Sequence, residues 1–200
     1  MENFLTYEDF TGIIIFDTES NPTRELLNEI ISQKQKDLLI NLLGYDLYLR
    51  FETALDEVSP TQKWLDLRDG ADFISEYCNK TYTLHFDGVK EMLKYYIAFY
   101  YLQEITNRMT FAGQVKSNNE NSHVINQEIK LTKLHNKAID LYGFAYKYDI
   151  DIVQFTVPIL KLTDEIERVK NTCFNFLYTK NETSETTYPN WIFSPKKYIF

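Results

Sequence analysis

The chain has 200 residues, of which 44% are hydrophobic and 25% are charged, a composition typical of one globular domain and not of a disordered chain. Its net charge of -8 and its lack of a basic run argue against a general nucleic-acid-binding domain, because such domains present a basic surface to phosphate. No run of about 18 apolar residues is present, so no membrane span is expected. We also expect no signal peptide, since the first residues form neither a basic nor an apolar segment.

Three regions are predicted along the chain. Residues 1–20 are interpreted as an extended N-terminal arm, because the run from Ile13 to Phe16 is short and rich in β-branched residues. Residues 21–180 are predicted to form a helical domain. Residues 181–200 are interpreted as a polar hinge followed by an aromatic C-terminal arm.

The helical domain is predicted to open with two helices separated by a glycine. Asn21 followed by Pro22 is typical of a helix start, because a capping side chain precedes a proline at the first helical position. Apolar residues then recur at helical spacing until Gly44, which we expect to end the first helix. A second helix is predicted from Tyr45 to Asp56.

A short third helix and a β-hairpin follow. The segment Ser59-Pro60-Thr61-Gln62 has the pattern of a capping box, so Ser59 is expected to cap a helix that ends near Gly70. Residues 72–87 contain alternating apolar and polar positions, which predicts a hairpin with its turn at Asn79-Lys80. His85 is expected on the exposed face of this hairpin.

The most apolar helix is predicted after Asp87, which we expect to cap it. Between Met92 and Leu102 only Lys94 is charged. A helix that is apolar all round is surrounded on several sides, so this one is predicted to lie at the centre of the bundle and to offer part of its surface to another subunit.

A long polar loop and two further helices complete the predicted domain. The loop covers residues 112–126, and loops of this length are often functional. The last helix is predicted from about Thr163 to Tyr178. The helix between the polar loop and the last helix carries an apolar stripe with alternating spacings of three and four residues. The stripe consists of Leu131, Leu134, Ala138, Leu141, Ala145 and Tyr148.

The C-terminal arm is the most distinctive segment of the chain. A polar hinge, Asn181 to Thr187, precedes it. Its aromatic side chains must pack on their own domain or on a neighbour, because they cannot stay exposed together in water. We expect the bundle to form its core without the arm. The candidate partner-binding residues of the arm are Tyr188, Trp191, Ile192, Phe193, Tyr198 and Phe200.

Side chains that could support catalysis are sparse. The six glycines form no phosphate-binding loop, and the three histidines lack companions at ligand spacing. Asp149 and Asp151 would share one face of a strand, where a divalent ion could bind, but no third ligand lies nearby in the sequence. We therefore expect no enzymatic activity and no cofactor. The alternatives are a small helical metal-dependent enzyme that uses Asp149 and Asp151, and a monomeric helical adaptor that binds one partner helix.

Several short segments occur in an order that resembles a known family. They are Asp9 to Gly12, Leu42 to Tyr48 with Phe51, Phe86 to Val89, Thr110 to Gly113 with Val115 and Glu120, and Leu134 to Ile139. Over roughly residues 7–148, this order is similar to that of the head–tail connector (adaptor or head-completion) proteins of tailed phages, especially crAss-like and related phages of Bacteroides. The final 50 residues depart from the family's pattern.

The resemblance implies a mainly α fold, a small helical bundle with a β-hairpin insertion and extended N- and C-terminal arms. It also implies a homo-oligomeric ring, usually of about twelve copies, bound to the portal protein in the neck of the virion after synthesis in the host bacterial cytoplasm. Such a ring extends the channel for genomic DNA, without sequence-specific binding, and docks tail or neck proteins. Gly113, Val115 and Glu120 would belong to a loop that becomes ordered on assembly, and no membrane is involved.

Overall fold

Helices surround one central apolar helix in the computed structural model of this chain. Within the residues that the structure describes, the fold is mainly α with a small antiparallel hairpin, as predicted. The described residues are 4–10, 12–13, 21–77, 79–106, 109–110, 113–114, 127–143, 145–146, 171–182, 187–189, 191 and 196–197.

The α-helices are α1 (Asn21–Leu43), α2 (Tyr45–Leu55), α3 (Gln62–Asp69), α4 (Gly88–Thr106), α5 (Gln127–Tyr142) and α6 (Cys173–Glu182), and a 3-10 helix spans Tyr7–Phe10. The strands are β1 (Ala71–Tyr77), β2 (Lys80–Phe86), β3 (Met109–Thr110), β4 (Gly113–Gln114), β5 (Ala145–Tyr146) and β6 (Lys196–Lys197). They form three separate pairs: β1–β2 and β3–β4 are antiparallel, and β5–β6 is parallel.

The central position predicted for the apolar helix is confirmed in α4. Helices α1, α3 and α5 and the 3-10 helix all pack against it. Helix α4 therefore contributes buried side chains to its contact with each of these elements. Its fully or nearly buried side chains are Val89, Met92, Leu93, Tyr96, Ile97, Ala98 and Tyr101.

The predicted start of α3 is wrong by two residues. The helix begins at Gln62, and Thr61 is its N-cap residue, with no side-chain capping hydrogen bond. The Thr61 carbonyl accepts the first helical hydrogen bond from the Trp64 amide at 3.0 Å. Because Trp64 is buried against Phe51 of α2, tertiary packing fixes where this helix begins.

The hairpin β1–β2 has one buried and one exposed face. Its strands are joined at Asn79, whose φ of 59° is the left-handed conformation that asparagine tolerates in tight turns. The predicted turn is confirmed at Asn79 but not at Lys80, which is the first residue of β2 and pairs with Tyr77. On the inner face, Phe73 and Phe86 pack against Phe176 of α6, with ring centroids 5.5 and 4.5 Å away. The hairpin outer face consists of Asp72, Ile74 and Glu76 on β1 and Thr81, Thr83 and His85 on β2, all exposed.

Two glycines in contact form the base of the hairpin. Gly70 ends α3 with φ 104°, and Gly88 begins α4 with φ 83°. A Cβ atom on Gly70 would lie 2.2 Å from the Phe86 carbonyl oxygen, and one on Gly88 would lie 2.4 Å from the Arg68 carbonyl oxygen. The two chain segments can cross this closely only because neither residue has a side chain.

Helix α5 is shorter than predicted. It ends at Tyr142, and Gly143 follows with φ 81°, donating its amide hydrogen to the Ile139 carbonyl at 2.9 Å. Ala145 therefore lies in β5 and does not extend the helical stripe, while Tyr148 lies outside the described residues. The left-handed glycine ends the helix although the apolar spacing continues.

The last predicted helix is not helical at every described position. Asn171 and Thr172 are not helical, and α6 begins at Cys173. The Thr172 hydroxyl accepts a hydrogen bond from the Asn175 amide at 3.2 Å, which is a side-chain N-cap. Residues 163–170 of the predicted helix lie outside the described residues.

The described part of the N-terminal arm is folded against the bundle. Leu5, which precedes the 3-10 helix, and Phe10, its last residue, are buried in the core. Asp9 accepts a hydrogen bond from the Thr6 amide at 2.8 Å and forms an ion pair with Lys90 of α4, also at 2.8 Å. Burial opposes ionisation of Asp9, but the bonds to Lys90 and Thr6 outweigh it and lower the pKa of this carboxyl.

We predict that Gly70→Ala and Gly88→Ala each destabilise the fold by at least about 3 kcal/mol, because each adds a backbone clash to an unfavourable left-handed conformation. Urea unfolding followed by circular dichroism measures this loss. Gly12→Ala is the matched control, since Gly12 also has a positive φ but no atom within 4 Å of the added Cβ. It should cost only about 1 kcal/mol. Equal losses at all three positions would contradict the proposed steric contact.

Candidate partner-binding surface

The C-terminal arm is anchored inside its own chain at Tyr188. Its side chain is only 1% exposed, and its ring lies between Trp64 of α3 and Phe176 of α6, with centroids 5.7 and 5.8 Å away. The Tyr188 hydroxyl donates a hydrogen bond to the Lys63 carbonyl at 2.6 Å. Burial raises the pKa of this phenol well above its usual value.

The arm was predicted to pack either on its own domain or on a neighbour, and this placement decides between the two for Tyr188. Its ring packs on its own domain, so in this structure it is not available to a partner. The expectation that the bundle forms its core without the arm is corrected, because Tyr188 belongs to the continuous buried cluster. Sequence reasoning identified the need for burial but not the location, since Trp64 lies more than 120 positions away in the chain.

Hydrogen bonds across the predicted hinge hold Tyr188 in place. Asn181 lies within α6, so the helix continues into the segment predicted as a hinge. Its side-chain amide accepts a hydrogen bond from the Tyr188 amide at 2.9 Å and donates one to the Tyr188 carbonyl at 3.1 Å. The Thr187 hydroxyl donates to the Lys180 carbonyl at 3.1 Å. The two ends of this segment are therefore fixed against each other.

The rest of the arm is described only in part. Trp191 is half-buried and packs against Phe174 of α6 with a centroid distance of 5.7 Å. The backbone of Lys196–Lys197 pairs with Ala145–Tyr146 beyond α5. The other arm residues predicted to bind a partner lie outside the described residues: Ile192, Phe193, Tyr198 and Phe200.

The predicted polar loop begins with a short hairpin. Gly113 pairs with Thr110 and Gln114 with Met109, so residues 113–114 form strand β4. Val115 and Glu120 lie outside the described residues, and their assignment to a loop that orders on assembly stays a prediction.

An open groove lies beside the anchored arm, between α2, α3 and Pro189. Its volume is about 370 Å³. Apolar side chains from Leu49, Ala54 and Trp64 form part of its wall, and the charged residues Arg50 and Lys63 also line it. We call this site the α2 groove; its complete lining is Leu49, Arg50, Thr53, Ala54, Glu57, Lys63, Trp64 and Pro189.

Large apolar side chains remain exposed next to the α2 groove. Tyr45 is 57% exposed and Leu49 is 39% exposed, one helical turn apart on α2. Val58 is also fully exposed, but it lies in the turn beyond the end of α2 and is not part of this pair. An apolar strip on a helix with a charged border is typical of a protein–protein contact surface. In the sequence, Tyr45 and Leu49 are four residues apart, which places them on one face of α2. Leu47, Tyr48 and Phe51 are equally apolar and buried, so the sequence does not distinguish the exposed face from the buried one.

A second, polar cleft lies between the hairpin, α4 and α5. It has a volume of about 410 Å³ and includes Asp69, Asp87, Glu91 and Lys137. His85 also lines it and is exposed, as predicted, with its Nδ1 atom 2.7 Å from the Asp72 carboxylate.

Possible metal ligands are dispersed among the described residues, and the described cysteine is buried. Among the described residues, no three His, Cys, Asp or Glu side chains are arranged to hold a metal ion. Asp149 and Asp151, the alternative metal ligands, lie outside the described residues. Cys173 is fully buried, and burial raises the pKa of its thiol to about 12, which keeps it protonated and unreactive.

Comparisons with known proteins give no relative. No protein-family model matches the chain, no curated protein matches it, and no solved structure matches its fold. None of the helices that the structure describes combines the length and the apolar character needed to cross a membrane.

We predict that Tyr188→Ala lowers the free energy of unfolding by roughly 3–5 kcal/mol, because it removes a buried ring from between Trp64 and Phe176. Tyr188→Phe should cost about 1 kcal/mol, the value of the single hydrogen bond to Lys63. Chemical unfolding measures both. Tyr45→Ala removes an exposed tyrosine and serves as the control, with an expected change within about 0.5 kcal/mol. A Tyr188→Ala protein as stable as the control would show that the arm is not part of the core.

A pH effect is expected from His135 of α5. Its ring is half-buried, with its edge toward Tyr96 and Phe99, and burial lowers its pKa below the usual 6.5. The unfolded chain therefore takes up this proton first, so the contribution of neutral His135 is complete above pH 6.5 and is lost as the pH falls through and below it. His135→Gln should show a smaller loss of stability between about pH 7.5 and pH 5.5 than the parent chain, measured by urea unfolding. Parallel stability curves would exclude this assignment.

Proposed function

We propose that this chain is a structural, non-enzymatic subunit of a homo-oligomeric ring in the head–tail connector of a tailed phage. The observation that carries the proposal is that large apolar side chains are exposed on two different elements. They are Tyr45 and Leu49, one helical turn apart on α2, and Ile74 on the hairpin outer face. A closed ring requires a head-to-tail contact, in which each subunit uses two distinct surfaces.

The architecture supports the same proposal. A mainly α bundle with one β-hairpin insertion agrees with the fold that the resemblance to connector proteins implies. The base of the hairpin is held by Gly70 and Gly88, and its inner face by Phe176. The hairpin therefore presents its outer face from a fixed position, as a surface used for repeated assembly must.

Charge supports a role beside passing DNA. Each subunit carries a net charge of -8. A ring of such subunits repels the phosphate backbone, so genomic DNA can move through the channel without sequence-specific binding. In this proposal the ring lies below the portal protein in the virion neck and docks tail or neck proteins. The outer part of the arm, from Trp191 onward, is the proposed contact to a neighbour or to the next neck protein.

The proposal predicts a concentration-dependent assembly. Sedimentation velocity of the full chain should show a shift from monomer to one large species as concentration rises, or when the portal protein of the same phage is added. Electron microscopy of that species should show closed rings of about twelve copies.

A chain that stays monomeric at every concentration, with and without the portal protein, would overturn the proposal. Binding of one partner by such a monomer would instead favour the adaptor alternative.

A further inference from the structure

The two exposed apolar patches carry opposite charges at their borders. On the hairpin outer face, Ile74 is 60% exposed and stands between Asp72 and Glu76, which are also exposed and point to the same side of β1. In the α2 groove, the partly exposed Leu49 is accompanied by the exposed side chains of Arg50 and Lys63. One patch is thus an apolar residue with two acidic neighbours, and the other is an apolar wall with two basic neighbours.

The other charged groups at these sites do not cancel this difference. Glu57 also lines the α2 groove, which leaves one net positive charge from Arg50, Lys63 and Glu57. On the hairpin, Thr81 and Thr83 are uncharged, and His85 is hydrogen-bonded to Asp72 through its Nδ1 atom at 2.7 Å. Opposed surface charges of this kind favour and orient the encounter of two proteins.

Pairing of like patches is disfavoured. If β1 of two copies paired antiparallel about Ile74, Asp72 of each copy would face Glu76 of the other. Like charges directly opposite each other destabilise a strand pair, and charged residues on an edge strand protect it from such pairing. Two α2 grooves placed together would likewise bring Arg50 and Lys63 of both copies close to each other.

We propose that the hairpin outer face of one copy docks into the α2 groove of the next copy. Ile74 lies against Leu49, and the acidic pair Asp72 and Glu76 lies near Arg50 and Lys63. The groove volume of about 370 Å³ accommodates a branched aliphatic side chain together with part of its strand. This contact rests on the proposed ring and names the two surfaces that would build it.

The contact is head-to-tail, because each copy contributes its hairpin to one neighbour and its groove to the other. Repetition of a head-to-tail contact gives a ring when the rotation closes. Each copy is then held at two surfaces, so the closed ring is more stable than one contact alone.

Two variants test the contact, each altering one exposed residue in one patch. Ile74→Lys introduces a cation facing Arg50 and Lys63, and Leu49→Glu introduces an anion facing Asp72 and Glu76. Each should raise the concentration at which half of the chains are assembled by at least about thirtyfold, the effect of losing a strong interface contact. Ile129→Lys is the matched control, because Ile129 is 51% exposed on α5, outside both patches. Circular dichroism melting of each variant establishes that it is folded like the parent.

Mixing the two variants makes the test specific for a head-to-tail contact. The Ile74→Lys chain keeps an intact groove, and the Leu49→Glu chain keeps an intact hairpin face. At a concentration where the parent is fully assembled and neither variant assembles alone, an equimolar mixture should form complexes that contain both chains, as measured by native mass spectrometry. Failure of the mixture to form such mixed complexes would overturn the contact, as would parent-like assembly of either folded variant.

The result also separates this inference from the proposed function. If the parent chain and both folded variants, Ile74→Lys and Leu49→Glu, all assemble into rings, only this contact is rejected and the proposed ring stands. A parent chain that never assembles, with or without the portal protein, rejects the ring itself.

Discussion

The ring of Phe176 joins the β1–β2 hairpin and the beginning of the C-terminal arm to the core. It stacks on Phe86 at 4.5 Å, meets Phe73 edge-on at 5.5 Å, and contacts Tyr188 at 5.8 Å. One side chain of α6 therefore holds both strands of the hairpin and the beginning of the arm. Aromatic contacts of this type contribute roughly 0.5–1.5 kcal/mol each beyond the area they bury, so the cluster is a substantial share of a marginal stability.

The same cluster links the fold to the proposed assembly surfaces. Through Phe73 and Phe86 it fixes the inner face of the hairpin, and thereby the direction in which Ile74 is presented. Through Tyr188 and Trp64 it fixes the wall of the α2 groove. Both surfaces proposed to meet between copies are thus supported by one buried aromatic group, which is why they keep a constant position relative to the core.

Local sequence signals predicted much of the bundle because they act over short distances. Asn21 with Pro22, Gly44, the alternation around Tyr82 to Phe86, and the apolar run from Met92 each specify one element through capping, backbone conformation or periodicity. The same reasoning was wrong at two helix ends. Apolar spacing continued past Gly143, but the left-handed glycine ended α5. Ser59 had the pattern of a cap, but Thr61 is the N-cap and α3 begins at Gln62, two residues before the buried Trp64.

The sequence by itself determined that this is a mainly α chain with one hairpin, a central apolar helix and an aromatic segment that requires burial. Only the tertiary structure decided where that segment lies, because the partners of Tyr188 are Trp64, Lys63 and Phe176, two of them distant in the chain. The tertiary structure also decided which apolar residues stay exposed. Tyr45, Leu49 and Ile74 have the same character as their buried neighbours, and burial depends on which face of each element the rest of the chain covers.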